Sequence, residues 1–115
     1  MQPAKLDLEK VPAENGAYLV TRLNGKLSLE TVHNFIQSLR PEPAPYLVLD
    51  MSGVSFLDSA GVGALMSLFV SRRNSGKSFA VAGLDTHGKA VLQVAGLTKL
   101  LPNFPTVEEA LQAKN

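Results

Sequence analysis

The sequence predicts an α/β fold: a single domain with a four- to five-stranded mixed sheet and about four helices packed over it. Two uninterrupted apolar runs, Tyr46-Leu47-Val48-Leu49 and Phe79-Ala80-Val81-Ala82, carry that prediction. Strands apolar on both sides belong in the middle of a sheet whose two faces are covered. Between the runs lies a long amphipathic segment, Ser59 to Ser75, with apolar positions at helical spacing. Strand, helix and buried strand in that order make a βαβ unit, hence a parallel pair joined by a right-handed crossover.

The remaining elements follow in chain order. Leu6, Leu8 and Val11 stand at near-alternating positions and mark a first strand. Asn15-Gly16 is a turn signal, with Ala17–Leu23 as the hairpin partner and Asn24-Gly25 as its end. Ser28, followed by Glu30-Thr31, opens a helix in which Leu29, Val32, Phe35, Ile36 and Leu39 recur at helical spacing. Pro41, Pro43 and Pro45 stop it, since each lacks an amide donor and restricts the residue before it. The first apolar run then ends at Asp50. In the long amphipathic helix, Val62, Leu65, Met66, Phe69 and Val70 form one broad stripe expected to face the core. Gly61, Ala64, Leu68, Ser71 and Ser75 fall on the opposite side, and Arg72-Arg73 reads as a solvated end that complements the helix dipole. Asp85-Thr86 caps a third helix carrying Ala90, Val91, Val94 and Ala95, stopped by Gly96. Leu97–Leu101 reads as a short edge strand bounded by Pro102 and Pro105. Thr106 with Glu109 three residues on is a capping box for the last helix, Val107–Ala113.

Composition narrows the function classes. A length of 115 residues fits one domain spanning 1–115. With 45% hydrophobic and 18% charged residues the chain is globular, too apolar for a disordered tail. The stretch around Val62–Val70 is broken by Gly and Ser and falls short of the roughly 18–20 residues a bilayer needs, so no membrane insertion is expected. Met1-Gln2-Pro3-Ala4-Lys5-Leu6-Asp7 has a charge or a proline where an export signal needs an apolar run, which makes a cytoplasmic location the expectation. The chain has no Cys, hence no disulfide and no thiolate metal site. Lys+Arg number 11 against 10 Asp+Glu, and no basic run exceeds Arg72-Arg73, so nucleic acid is not an expected partner.

The informative segment is Asp50-Met51-Ser52-Gly53-Val54-Ser55-Phe56-Leu57-Asp58-Ser59-Ala60-Gly61-Val62-Gly63, where a buried strand gives way to a helix. Asp58-Ser59 can serve as an N-cap pair, since both side chains satisfy free amides at a helix start. Asp50 either terminates its strand or belongs to a docking surface; both readings stand. The glycines lack Gly-Lys-Ser/Thr and Gly-x-Gly-x-x-Gly, so a phosphate-cradling loop is not expected. Ser59 as a nucleophile would need a base, yet the only histidines, His33 and His87, fall on or beside surface helices, and Gly-x-Ser-x-Gly is absent. Those histidines are not clustered as metal ligands, and the expectation is no enzyme, no metal and no cofactor. Gly61 and Gly63 each cost a helix about 1 kcal/mol against Ala, which hints at close packing. With Ala64 they leave little side chain in a visitor's way, and Leu68 is apolar opposite the core stripe. Gly61, Ala64 and Leu68 are therefore expected on a partner-binding face.

Leu49-Asp50-Met51-Ser52, continued by Val54-Ser55-Phe56-Leu57-Asp58-Ser59-Ala60-Gly61-Val62-Gly63-Ala64-Leu65, closely resembles the signature of STAS domains. In particular it resembles the bacterial anti-sigma factor antagonists, whose hallmark is Asp-Ser/Thr-x-Gly at a helix start. The resemblance covers nearly the whole chain. Asn24-Gly25-Lys26-Leu27 matches the family's Gly-x-Leu/Ile turn before the first helix, and Val94-Ala95-Gly96-Leu97 matches its x-x-Gly-Leu after the third. Ala60 departs from the Ser or Thr of many relatives, and the usual acidic pair before the first helix is missing.

The resemblance implies that Ser59 is a phosphoacceptor, modified by a serine kinase that is itself the anti-sigma factor. Asp58 would be the adjacent acidic residue and Asp50 the strand-end carboxylate near the docking surface. Unphosphorylated antagonist would bind the kinase and release the sigma factor; a serine phosphatase would reset the phosphorylated form. A second reading is a STAS subunit of a lipid transporter or signalling scaffold that docks without phosphorylation, and a third is a small enzyme or nucleotide-binding protein. A phosphate at a helix N-terminus gains about 0.3–1 kcal/mol, too little to refold a domain. It adds about −1.5 to −2 of charge, taking the chain from +1 to roughly −1. Burying an unpaired ion costs several kcal/mol, and a hundredfold affinity loss needs only about 2.7. Phosphorylation would act on a contact surface and leave the fold alone.

Overall fold

The computed structural model describes residues 3–114; Met1 and Gln2, part of the N-terminal stretch discussed above, lie outside the described residues, as does Asn115. The first two strands, β1 (Leu6–Pro12) and β2 (Leu19–Leu27), form an antiparallel hairpin with Leu6 opposite Gly25 and Pro12 opposite Leu19. Its turn uses Gly16 at φ +73°, with Asn15 Oδ1 accepting from the Ala17 N–H at 3.0 Å. The next strands, β3 (Tyr46–Leu57), β4 (Ser78–Ala82) and β5 (Asn103–Phe104), add in parallel, so the five strands lie in chain order. The helices α1 (Val32–Leu39), α2 (Ser59–Asn74) and α3 (Thr86–Val94) make the crossovers, and α4 (Val107–Gln112) follows the last strand. The result is an α/β domain with a five-stranded mixed sheet and four helices.

Alternation along β3 divides the core in two. Leu47, Leu49 and Met51 join Phe35 and Leu39 of α1, Leu65 and Leu68 of α2, and Leu92 of α3. Tyr46 and Val48 point the other way, where they meet Val20, Ala80 and Ala110 of α4. Successive right-handed crossovers that advance in one direction must stack their helices on one face. The remaining face is left to α4.

Several sequence expectations are corrected here. The strand after the hairpin turn does not end at Asn24-Gly25 but runs on to Leu27 through two register shifts. Gly25, at φ +121°, lies so close to β1 that a Cβ would collide with the Lys5 carbonyl oxygen. Likewise β3 does not end at Asp50. Its pairing with β4 stops there, at Asp50 opposite Ala82, while pairing with β2 continues to Leu57. The first helix begins at Val32, one turn later than its apolar spacing suggests. Thr31 Oγ1 accepts from the Ser28 N–H at 3.0 Å and donates to the Lys26 carbonyl at 2.7 Å, closing Ser28–Thr31 into a turn that leaves Leu29 75% exposed. Leu97–Leu101 is also a turn, with the Leu97 N–H on the Leu92 carbonyl at 2.9 Å; the edge strand starts later, at Asn103.

The largest correction concerns α2. Its buried residues are Gly61, Val62, Ala64, Leu65, Leu68 and Arg72. Gly61, Ala64 and Leu68 thus face the core and cannot form a docking surface, while Met66, Phe69 and Val70 are its half-buried flanks. The cause is small and polar residues at core positions. A Cβ on Gly61 would collide with the Leu27 carbonyl oxygen, so the start of α2 approaches β2 at a distance only glycine permits. At the other end Arg72, 2% exposed, is a core residue and no solvated end. Val62 and Leu65 of the expected stripe do face the core, but the packing side is rotated from the middle of that stripe toward Gly61, Ala64, Leu68 and Arg72.

Candidate functional site

The start of α2 is where the motif residues meet. Asp58 is extended (φ −105°, ψ −176°) and stands at the N-cap. One carboxylate oxygen accepts from the Gly61 N–H at 2.8 Å, satisfying a first-turn amide without an intrahelical partner. The other accepts from the Leu29 N–H at 3.1 Å. One side chain therefore fastens the helix to the connection between β2 and α1. Both oxygens are engaged, so Asp58 builds the site rather than serving as a base.

Ser59 follows at the first helical position and is exposed. At such a position backbone amides point outward and the helix dipole favours negative charge. Two exposed apolar residues belong to the adjoining segments: Leu29, 75% exposed, whose N–H donates to the Asp58 carboxylate, and Phe56, 44% exposed, three residues before Ser59 in the chain. Next to Phe56 a cavity of about 80 Å³ opens between the end of β3 and the start of α3, lined by Val54, Phe56, Leu84 and His87 among others. Along α2 the outward residues after Ser59 are Gly63 and Ser67, one and two turns on. Nothing lies within 4 Å of where a Gly63 Cβ would stand. Arg40 at the end of α1 donates to Ser67 Oγ at 3.1 Å and borders the same face.

Of the residues singled out in the sequence, the structure brings Asp58 and Ser59 together and leaves Ser59 outward. Asp50 is elsewhere: half-buried, its Oδ1 accepts from the Ser52 N–H at 3.0 Å and the Ser52 hydroxyl at 2.7 Å. Seven residues of β3, roughly 20 Å of extended strand, separate it from the start of α2. Its observed part is local: it holds Ser52 within β3 at the point where pairing with β4 stops, next to Gly83. Gly63, expected where a visitor could approach the helix, is indeed outward, whereas Leu29, Phe56 and Ser67 were not recognised as surface residues. Leu29 fits the helical spacing of α1, and Phe56 reads as a loop anchor. Only the Ser28-x-x-Thr31 spacing hints that the helix starts late. His33 and His87 are both exposed, and among the described residues no three His, Asp or Glu gather to hold a metal ion. No helix among the described residues is long and apolar enough to cross a membrane.

Comparison with known proteins matches this geometry to one family. The family model described as the STAS domain matches residues 9–110. A curated protein, the anti-sigma F factor antagonist of Paenibacillus polymyxa, is 24% identical over 97 residues, covering 81% of this chain and 83% of that one. Among solved structures, an anti-sigma factor antagonist from Mycobacterium paratuberculosis is similar at TM-score 0.83 and 23% identity, with 95% of this chain and 93% of that one covered. The Bacillus cell fate determinant SpoIIAA in its phosphorylated form is similar at TM-score 0.67 and 21% identity, covering 96% of this chain and 100% of that one. The family match spans both the sheet and the Asp58-Ser59 helix start, and by it this chain belongs to the STAS domain family.

Proposed function

We propose that the chain is an anti-sigma factor antagonist whose docking is switched by phosphorylation of Ser59. Unphosphorylated, it binds an anti-sigma factor serine kinase through the start of α2, and the sigma factor is released. The kinase moves the γ-phosphoryl of ATP to Ser59 Oγ, the serine losing its proton, and the modified chain lets go; a serine phosphatase restores it. The chain is then a substrate and not a catalyst. The observation that carries this reading is Ser59 standing exposed at the first turn of α2, with the exposed Leu29 and Phe56 on the segments that lead into and fasten that helix start. Apolar side chains suit a protein contact. A doubly charged group added to that surface would have to be desolvated on docking, at several kcal/mol if unpaired.

Incubation with the cognate kinase and ATP, followed by intact mass and peptide mapping, tests the assignment. One phosphate at Ser59 is expected. Ser59→Ala should bind the kinase as tightly as the wild type and take up no phosphate. Ser59→Asp should bind more weakly, by up to about a hundredfold, or about 2.7 kcal/mol. Stoichiometric phosphate on Ser59→Ala would show that the acceptor is another residue. Stable co-purification with a transporter or scaffold, without phosphate, would instead support permanent docking.

A further inference from the structure

At the far end of α2 from Ser59 lies a second concave site, a cleft of about 340 Å³ between the end of α2, the starts of β3 and β4, β5 and the end of α4. About 14 residues of helix, roughly 21 Å, separate it from the serine. Three cations from three segments border it: Arg73 on α2, Lys77 before β4 and Lys114 after α4. No carboxylate lines it among the described residues. Its walls are aromatic, with Phe69, Phe104 and Tyr46 contributing. The Arg73 guanidinium carbon lies 5.5 Å from the Phe69 ring centroid. Lys114 Nζ lies 5.6 Å from the Tyr46 ring centroid and donates to Ser78 Oγ at 2.9 Å. Lys77 Nζ reaches the Glu42 carbonyl at 3.4 Å and is half-buried.

From this arrangement we infer that the cleft binds a small aromatic anion, a flat ring system carrying a phosphate or carboxylate. Like charges gathered at one rim repel, and an anion among them relieves that repulsion while gaining charge-assisted hydrogen bonds. The aromatic lining supplies what an inorganic ion could not use: apolar area and ring edges against which a planar body can pack. The volume suits a small molecule, near the lower end of the roughly 300–1,000 Å³ typical of ligand pockets. A net charge of only +1 over the whole chain makes three cations at one cleft, with no carboxylate among the described residues lining it, a local feature and no reflection of overall basicity. The site is separate from the Ser59 surface and does not depend on the function assigned to it.

Titration of the isotope-labelled full chain with naphthyl phosphate, followed by amide chemical shifts, tests the inference. Saturable shifts at Phe79, Phe104 and Ala113 with submillimolar affinity are expected. Arg73→Gln and Lys77→Gln, both carrying side chains at the rim, should keep the wild-type melting temperature and each weaken binding about tenfold. Inorganic phosphate and uncharged naphthol should each bind at least tenfold more weakly. Absence of saturable shifts up to millimolar ligand overturns the site. So does wild-type affinity in both variants, or binding of phosphate alone or of naphthol as tight as that of naphthyl phosphate.

Discussion

Arg72 is a cation in the core side of α2, and each of its three guanidinium nitrogens donates to a backbone carbonyl. Nε donates to the Ser78 carbonyl at 3.0 Å, and the two terminal nitrogens donate to the Glu42 carbonyl at 3.2 Å and the Ala44 carbonyl at 2.6 Å. Burial lowers its pKa, with the charge of Glu42 partly opposing that shift. The planar fork ties the end of α2 to the proline-rich approach to β3 and to the start of β4. Arg72→Lys keeps the charge but cannot hold three carbonyls in one plane, so a loss of about 2 kcal/mol is expected in urea unfolding. Thr21 is the reverse case: fully buried on β2, its hydroxyl has no hydrogen-bond partner among the described residues. Thr21→Val keeps the shape and removes the unsatisfied group, so the same experiment should show a gain of about 1 kcal/mol. Neither residue's environment could be read from the sequence. An arginine pair near a helix end ordinarily means solvent, and a threonine in a strand ordinarily means an exposed or bonded hydroxyl. Only the fold reveals three bare carbonyls next to the first and none next to the second.

At the scale of elements, two glycines one half-turn apart on α2 have opposite surroundings. Gly61 touches the end of β2, where a methyl would strike the Leu27 carbonyl and the Leu57 side chain; Gly63 faces open space. Gly61→Ala should destabilise the fold by about 1–3 kcal/mol through forced displacement of the helix start. Gly63→Ala should stabilise it by up to about 1 kcal/mol through helix propensity. Under the proposed function it should also weaken kinase binding, because a methyl would stand between Ser59 and Ser67 on the presented face. Thermal melts and a binding titration separate the two effects; a Gly63→Ala chain that binds unchanged would move the contact off this part of α2. The sequence made much of this helix readable. Its length, its Asp58 cap and the outward Ser59 all follow from local rules that act over a few residues. Its rotation about the axis did not follow, because Gly61, Ala64 and Arg72 occupy the packing side and carry no hydrophobic signal. Similarly the late start of α1 rests on a threonine hydroxyl bridging two backbone groups, which apolar periodicity does not register.

Across the whole molecule, one hydrogen bond ties the sheet to the helix that covers its second face, between residues 64 apart in sequence. Tyr46, at the start of β3, donates its hydroxyl to the Ala110 carbonyl of α4 at 2.7 Å. Tyr46→Phe leaves that buried carbonyl unpaired and should cost about 1–3 kcal/mol. Burial pushes the Tyr46 phenol above its ordinary 10.0. The folded chain therefore keeps this proton to a higher pH than the unfolded chain does. The stability tied to the neutral phenol is complete below about pH 10 and is lost as pH rises from there through the folded value. The stability gap between wild type and Tyr46→Phe should be constant up to about pH 9 and narrow above about pH 10; a gap that widens would contradict the assignment.

The spatial order of the strands, identical to their order along the chain, governs how the molecule can be assembled. Each new strand adds to an edge already present, and none has to be inserted between two others. A polypeptide leaving a ribosome can thus complete the sheet progressively, and the surface around Ser59 has its supporting strands once β4 has paired. Closure of the opposite face waits for α4. A chain stopped after β4 would display the serine while leaving Tyr46, Val48 and Ala80 without their cover, so recognition at one face and solubility at the other are set by different stretches of the same polypeptide.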